Sequence, residues 1–96
     1  MSKHITQYDG TQYWLNDNNL FHREDGPAII EPDGYCEYWQ DGNLHRKNGP
    51  AVEWPNGMNT WYVDGKRYTC NRTYQKAAGI SDEDMAMIVL KYGNVS

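Results

Sequence analysis

The apolar positions of this chain fall into two regimes. From about residue 8 to residue 68 they come in runs of four to six residues, rich in Tyr, Trp, Val and Ile, closed by Asp-Gly or Asn-Gly pairs. Those pairs are strong signals for tight hairpin turns, because both residue types tolerate a positive φ. Asp33-Gly34, Asp41-Gly42, Asn48-Gly49, Asn56-Gly57 and Asp64-Gly65 recur about every eight residues. The pattern predicts strand, turn, strand, turn. Within Tyr35-Cys36-Glu37-Tyr38-Trp39, a period of two places Tyr35, Glu37 and Trp39 on one face and Cys36 with Tyr38 on the other. Pro27 and Pro50 each follow a Gly at the start of a predicted strand, where a missing N–H is tolerated.

From Thr69 onward the turn pairs stop and the period lengthens. Met85, Ile88, Val89 and Tyr92 form one stripe at helical spacing. Ser81 suits the N-cap, Ile80 and Met85 the staple positions, and Gly93 the residue past the end. Asp82, Glu83 and Asp84 complement the positive end of the helix dipole and Lys91 the negative end. A shorter helix is expected around Arg72 to Ala78, ended by Gly79. Met85 belongs to the packed stripe and Met87 lies off it. The expected organisation is a single domain over 1–96, with β-hairpin repeats over 8–68 and a helical cap over 69–96. Such a cap closes an open sheet end.

The β region repeats. His22-Arg23-Glu24-Asp25-Gly26-Pro27-Ala28 returns 23 residues later as His45-Arg46-Lys47-Asn48-Gly49-Pro50-Ala51. Pro32-Asp33-Gly34 returns as Pro55-Asn56-Gly57, and Tyr38-Trp39-Gln40-Asp41-Gly42 as Trp61-Tyr62-Val63-Asp64-Gly65. A degenerate first copy matches Asp9-Gly10 to Asp33-Gly34 and Tyr13-Trp14 to Tyr38-Trp39, with the turn Asn16-Asp17-Asn18-Asn19 as a local insertion. In the third unit Lys66-Arg67-Tyr68-Thr69 replaces Asn43-Leu44-His45-Arg46, as a terminal repeat modified to meet a cap would.

The order Tyr-Trp, Asp-Gly, Leu-His-Arg, Gly-Pro-Ala, running from Tyr38 to Ala51, resembles the variant MORN repeat of bacterial and phage proteins. The resemblance covers roughly residues 8 to 68. It implies hairpins stacked into an elongated, twisted antiparallel sheet that acts through protein–protein contact or membrane association. Bacterial proteins with this repeat include those labelled YwqK-type antitoxins, and small phage proteins carry it too.

Composition narrows the function. The chain has 96 residues, a net charge of −4, eight Tyr, four Trp and one Phe. Leu, Ile and Val are scarce, and Tyr and Trp make up a large part of the hydrophobic count, which favours a thin core and half-buried rings. The acidic balance, with a pI of about 5.2, disfavours nucleic acid and anionic lipid as partners. Cys36 and Cys70 lack zinc-site spacing. With no apolar leader after Met1, they read as reduced thiols of a cytoplasmic protein, in the host cell cytoplasm if the chain is phage-encoded.

No nucleophile elbow, phosphate-gripping loop or calcium loop is present. His22 and His45 recur with the repeat, so a structural role explains them better than a catalytic one. Glu37 and Glu53 read as strand residues facing water. A helix-turn-helix around Gly79 is disfavoured by the acidic start of the second helix. The expectation is a non-catalytic protein, without catalytic residues, metal or cofactor, that inhibits or sequesters a partner. Its concrete forms are a phage- or mobile-element-encoded inhibitor of a host or defence factor, or an antitoxin. The expected contact residues are Tyr13, Trp39, Trp61, Arg23 and Arg46, with Asp82, Glu83 and Asp84 as a second surface. The competing expectation is a nucleotide or small-ligand sponge, in which aromatics stack on a base and Arg23 or Arg46 meets phosphate. Its pocket could lie at a homo-oligomer interface.

Overall fold

The computed structural model describes residues 3–96. It is mainly β, with two helices at the C-terminal end, and measures 40 × 28 × 19 Å along its principal axes. The strands are β1 (Lys3–Thr6), β2 (Gln12–Leu15), β3 (Ile29–Ile30), β4 (Cys36–Glu37), β5 (Trp39–Gln40), β6 (Asn43–Leu44), β7 (Val52–Glu53), β8 (Trp61–Val63) and β9 (Lys66–Tyr68). The helices are α1 (Asn71–Ala78) and α2 (Asp82–Tyr92). All strand pairs are antiparallel. Five strands form one sheet in the order β1-β2-β3-β4-β7, while β5-β6 and β8-β9 stand as separate two-stranded hairpins.

The division occurs where the backbone changes partner. Glu37 pairs with Val52, but the Tyr38 N–H donates to Ala51 and its carbonyl accepts from His45. Two residues on, Gln40 pairs with Asn43 in a hairpin of its own. The β5-β6 and β8-β9 turns are Asp41-Gly42 and Asp64-Gly65, with φ of 47° and 85°, then 50° and 81°. Positive φ at both central residues is the hairpin geometry that matches strand twist.

A second kind of turn appears three times. The N–H groups of Gly10, Gly34 and Gly57 donate to the carbonyls of Gln7, Glu31 and Trp54. In each, the preceding Asp or Asn side chain accepts the N–H two residues on, at Thr11, Tyr35 and Met58.

The first copy aligns differently from the sequence expectation. Trp14 donates to the Ala28 carbonyl and accepts from the His22 N–H. Tyr38 does the same with Ala51 and His45. Trp14 therefore matches Tyr38, not Trp39. Backbone bonding outranks letter matching here, because Trp14 and Trp39 point to opposite faces of their strands. The extra residue sits in the Asn16 turn, where Asn16 Oδ1 accepts the N–H groups of Asn18 and Leu20.

The largest cluster of buried side chains lies beneath the helices. Trp61, Val63, Tyr74, Ala78, Met85, Ile88 and Val95 pack together, with Tyr68, Ile80, Val89 and Tyr92 around them. Each member of the predicted stripe faces this cluster, while Met87 is exposed. Ser81 Oγ accepts the Asp84 N–H, as an N-cap should. Gly79 ends α1 in the left-handed region at φ 68°. α1 packs against both β8 and β9, so the helices cover the last hairpin. Among the described residues no helix is long and apolar enough to cross a membrane.

Candidate functional site

The expected contact residues do not assemble into one site. Tyr13 and Trp39 flank Phe21, at ring separations of 5.7 and 5.3 Å, in a half-buried row. Trp39 Nε1 is occupied, donating to Glu37 at 2.7 Å. The other aromatic row is covered unit by unit. Trp14 is stacked between His4, at 4.2 Å, and the Arg23 guanidinium, at 3.9 Å. Tyr38 lies beneath the Arg46 guanidinium at 3.8 Å. Trp61 meets Tyr74 edge-on at 4.9 Å.

Trp61 corrects the expectation of an exposed anchor. It is 1 % exposed, because α1 and α2 bring Tyr74 and Tyr92 onto it. Arg23 and Arg46 are likewise engaged internally. Arg23 binds Asp25 and the Pro27 carbonyl. Arg46 binds Asn48, the Pro50 carbonyl, the Tyr92 hydroxyl and the Glu53 carboxylate. Both still line a polar concavity of about 710 Å³ with Tyr38, His45 and Lys47. Glu37 and Glu53 do not simply face water either, since Glu37 also accepts from the Tyr35 hydroxyl. Asp82 accepts from Gln75 Nε2, whereas Glu83 and Asp84 stand exposed in the first turn of α2.

The two repeated histidines join neighbouring units. His22 Nδ1 accepts the Asp41 N–H at 3.0 Å, and His45 Nδ1 accepts the Asp64 N–H at 2.9 Å. Each ring thus fixes the turn that follows it, which is a structural role. The other ring nitrogen of His22, Nε2, lies 2.9 Å from the Glu24 carboxylate.

An apolar concave surface lies elsewhere, between the turn Trp54–Gly57 and the helical end. It is a groove of about 680 Å³. Trp54 and Met58 stand at its mouth, 48 % and 70 % exposed. Asn59, Thr60, Trp61, Arg67, Tyr92, Asn94 and Ser96 also line it. Local structure explains the display. The Gly57 N–H closes the turn on the Trp54 carbonyl, and Asn56 Oδ1 holds the Met58 N–H. Trp54 leans edge-on against Tyr35 at 4.5 Å. The floor is held rigidly, because Trp61 is wedged between Tyr74 and Tyr92, and Tyr92 accepts from Arg46 Nη2 at 3.1 Å. Rigid walls lower the ordering cost of binding.

Sequence reasoning missed Trp54, Met58 and Arg67 because it followed the residues that recur. At the 23-residue spacing, Trp54 stands where the preceding unit has Glu31, Met58 where it has Tyr35, and Arg67 where it has Leu44. The departures from the repeat were the signal.

The two thiols differ in character. Cys36 is buried, and desolvation and then the Glu53 charge push its thiol up, with Arg46 opposing. Cys70 is exposed and lowered by the backbone N–H groups of Thr73 and Arg72. Compared with protein-family models, curated proteins and solved structures, the chain matches none.

Proposed function

We propose that this chain is a small, non-catalytic binding protein that inhibits or sequesters a protein partner, with the Trp54 groove as its contact surface. The observation that carries the proposal is the pair of exposed apolar side chains, Trp54 and Met58, at the mouth of a groove whose aromatic floor is already packed. Trp is among the commonest side chains at binding hot spots, and Met adapts to varied partner shapes. Exposed apolar groups gathered at a concavity mark interaction sites more often than singly scattered ones do.

The variant MORN resemblance supports a scaffold of stacked hairpins that displays such a surface. It also supports the concrete form: a cytoplasmic inhibitor of a host or defence factor encoded by a phage or mobile element, or an antitoxin. The nucleotide sponge is the weaker reading, because Arg23 and Arg46 already direct donors and charge to internal partners, Asp25 and Glu53 among them.

The test is affinity capture from a bacterial lysate with wild type, Trp54→Ala/Met58→Ala and Trp39→Ala, followed by light scattering on the purified complex. One stoichiometric protein is expected, retained by Trp39→Ala and lost by the double variant at unchanged thermal stability. Equal capture by the double variant would move the contact surface away from the groove. Nucleotide in place of protein would establish the sponge.

A further inference from the structure

Among the described residues, Arg67 is the only groove-lining side chain that carries a formal charge at neutral pH. Its backbone pairs with Tyr62 in the β8-β9 ladder, which fixes its place on the groove wall. Among the described residues its guanidinium makes no hydrogen bond, ion pair or ring contact. It differs in this from Arg23 and Arg46, each of which is held by a carboxylate and a ring. A lone unpaired cation beside exposed Trp and Met, in a chain of net charge −4, is a local inversion of the protein's sign.

Resting on the reading of this groove as a protein contact, we infer that its occupant is a protein segment presenting a large apolar side chain with a carboxylate next to it, the carboxylate meeting Arg67. The apolar side chain lies between Trp54 and Met58 against the Trp61 and Tyr92 edges. About 680 Å³ lies within the range of roughly 300–1,000 Å³ typical of small-ligand sites, enough for one large side chain and adjoining backbone. The guanidinium fork matches a planar carboxylate in two parallel hydrogen bonds. A phosphate monoester fits less well. It carries nearly two charges and three strong acceptor oxygens, and a single guanidinium meets only part of them.

The test uses two probes that differ only in charge, N-acetyl-phenylalanine and N-acetyl-phenylalanine amide, titrated into the full chain and followed by NMR at the Trp54 indole and the Met58 methyl. Both probes are expected to shift these signals in wild type, with the acid bound about two- to fivefold more tightly, the range of one exposed charge pair. That preference should fade near 1 M salt, where the screening length is about 3 Å. In Arg67→Gln, an exposed position that leaves the core untouched, the preference should vanish while the amide binds as before. Equal binding of acid and amide to wild type, or a preference that survives Arg67→Gln, overturns the carboxylate and leaves the groove standing. Failure of both probes to move Trp54 and Met58 removes the groove itself, and the proposed function with it. Adenosine monophosphate binding more tightly than the acid would overturn the protein segment in favour of a nucleotide.

Discussion

The unit around Arg23 and the unit around Arg46 begin from the same frame and end as different kinds of structure. In both, the guanidinium lies over an aromatic ring at just under 4 Å. In both it donates to the carbonyl of the following Gly-Pro, at 3.2 and 3.0 Å. Both also reach the residue two positions on, Asp25 or Asn48. Beyond that the surroundings part. Asp25, the acid that Arg23 holds, has a side chain 85 % exposed. Arg46 faces Glu53, whose side chain is 29 % exposed, and Tyr92 of α2. The Arg23 carbonyl accepts from Gln40, whereas Val63, the residue at the corresponding place, has nothing to offer the Arg46 carbonyl. The Tyr74 hydroxyl from α1 serves it instead, at 2.6 Å. A recurring sequence builds a recurring node, and the residues that do not recur decide whether that node is surface or interior.

The largest expected effect is the contrast between Arg46→Ala and Arg23→Ala. Removing Arg46 leaves Glu53 without its cation and the Pro50 carbonyl without its donor in a poorly solvated place, at a cost of about 3 kcal/mol. Removing Arg23 leaves an acid already in water, loses one ring contact and frees the carbonyl of Pro27, which is half-buried where Pro50 is buried, at about 1 kcal/mol. Urea unfolding of both variants measures the difference. Equal losses would mean that Glu53 and the Pro50 carbonyl are no less solvated at the second node than Asp25 and the Pro27 carbonyl are at the first.

Adding a methyl group sharpens the comparison further. A Cβ at Gly49 would sit 3.0 Å from both Arg46 Cζ and Tyr92 Cε2. At Gly26 it would meet only Arg23, at 3.1 Å, on a side chain freer to move. Gly49→Ala should therefore cost about 2 kcal/mol and Gly26→Ala under about 1 kcal/mol, read as shifts in the unfolding midpoint. A larger loss at Gly26 would show the first node to be the more rigid one.

These contrasts also explain what the sequence disclosed. The β-then-α order, four of the five predicted turn pairs and the α2 stripe were legible because each rests on local chemistry, such as positive φ at Asp64-Gly65 or the Ser81 cap. Asn48-Gly49, by contrast, has no positive φ and instead lets the backbone pass close to Arg46 and Tyr92. The change of partner at Tyr38 was not, because it depends on Ala51 and His45 arriving from other segments. The burial of Trp61 was hidden for the same reason, since Tyr74 and Tyr92 come from helices 13 and 31 residues further along the chain. The groove was missed because attention to recurrence selects scaffold, and Trp54, Met58 and Arg67 break the recurrence.

The smallest effect carries its own signature. Tyr74→Phe removes one hydroxyl that donates to the Arg46 carbonyl and accepts the Gly49 N–H, a loss of about 1 kcal/mol near neutrality. Burial raises the Tyr74 phenol above its ordinary value of 10.0, against the lowering effects of the Gly49 backbone and the Arg46 charge. A phenol raised in the folded state holds its proton more tightly there than in the unfolded chain. Its contribution is therefore complete below about pH 10 and is lost as pH climbs from there through the folded value. Wild type should lose stability steeply in that alkaline window, and Tyr74→Phe less steeply, so the two unfolding midpoints converge. Tyr38, raised by burial as well, keeps some of the slope in both proteins. Gln40→Ala, which removes the corresponding bond at the Arg23 carbonyl, involves no titrating group and should lower stability by the same amount at every pH. Parallel pH profiles for wild type and Tyr74→Phe would show that the helix hydroxyl at the second node is not buried in solution as it is in this fold.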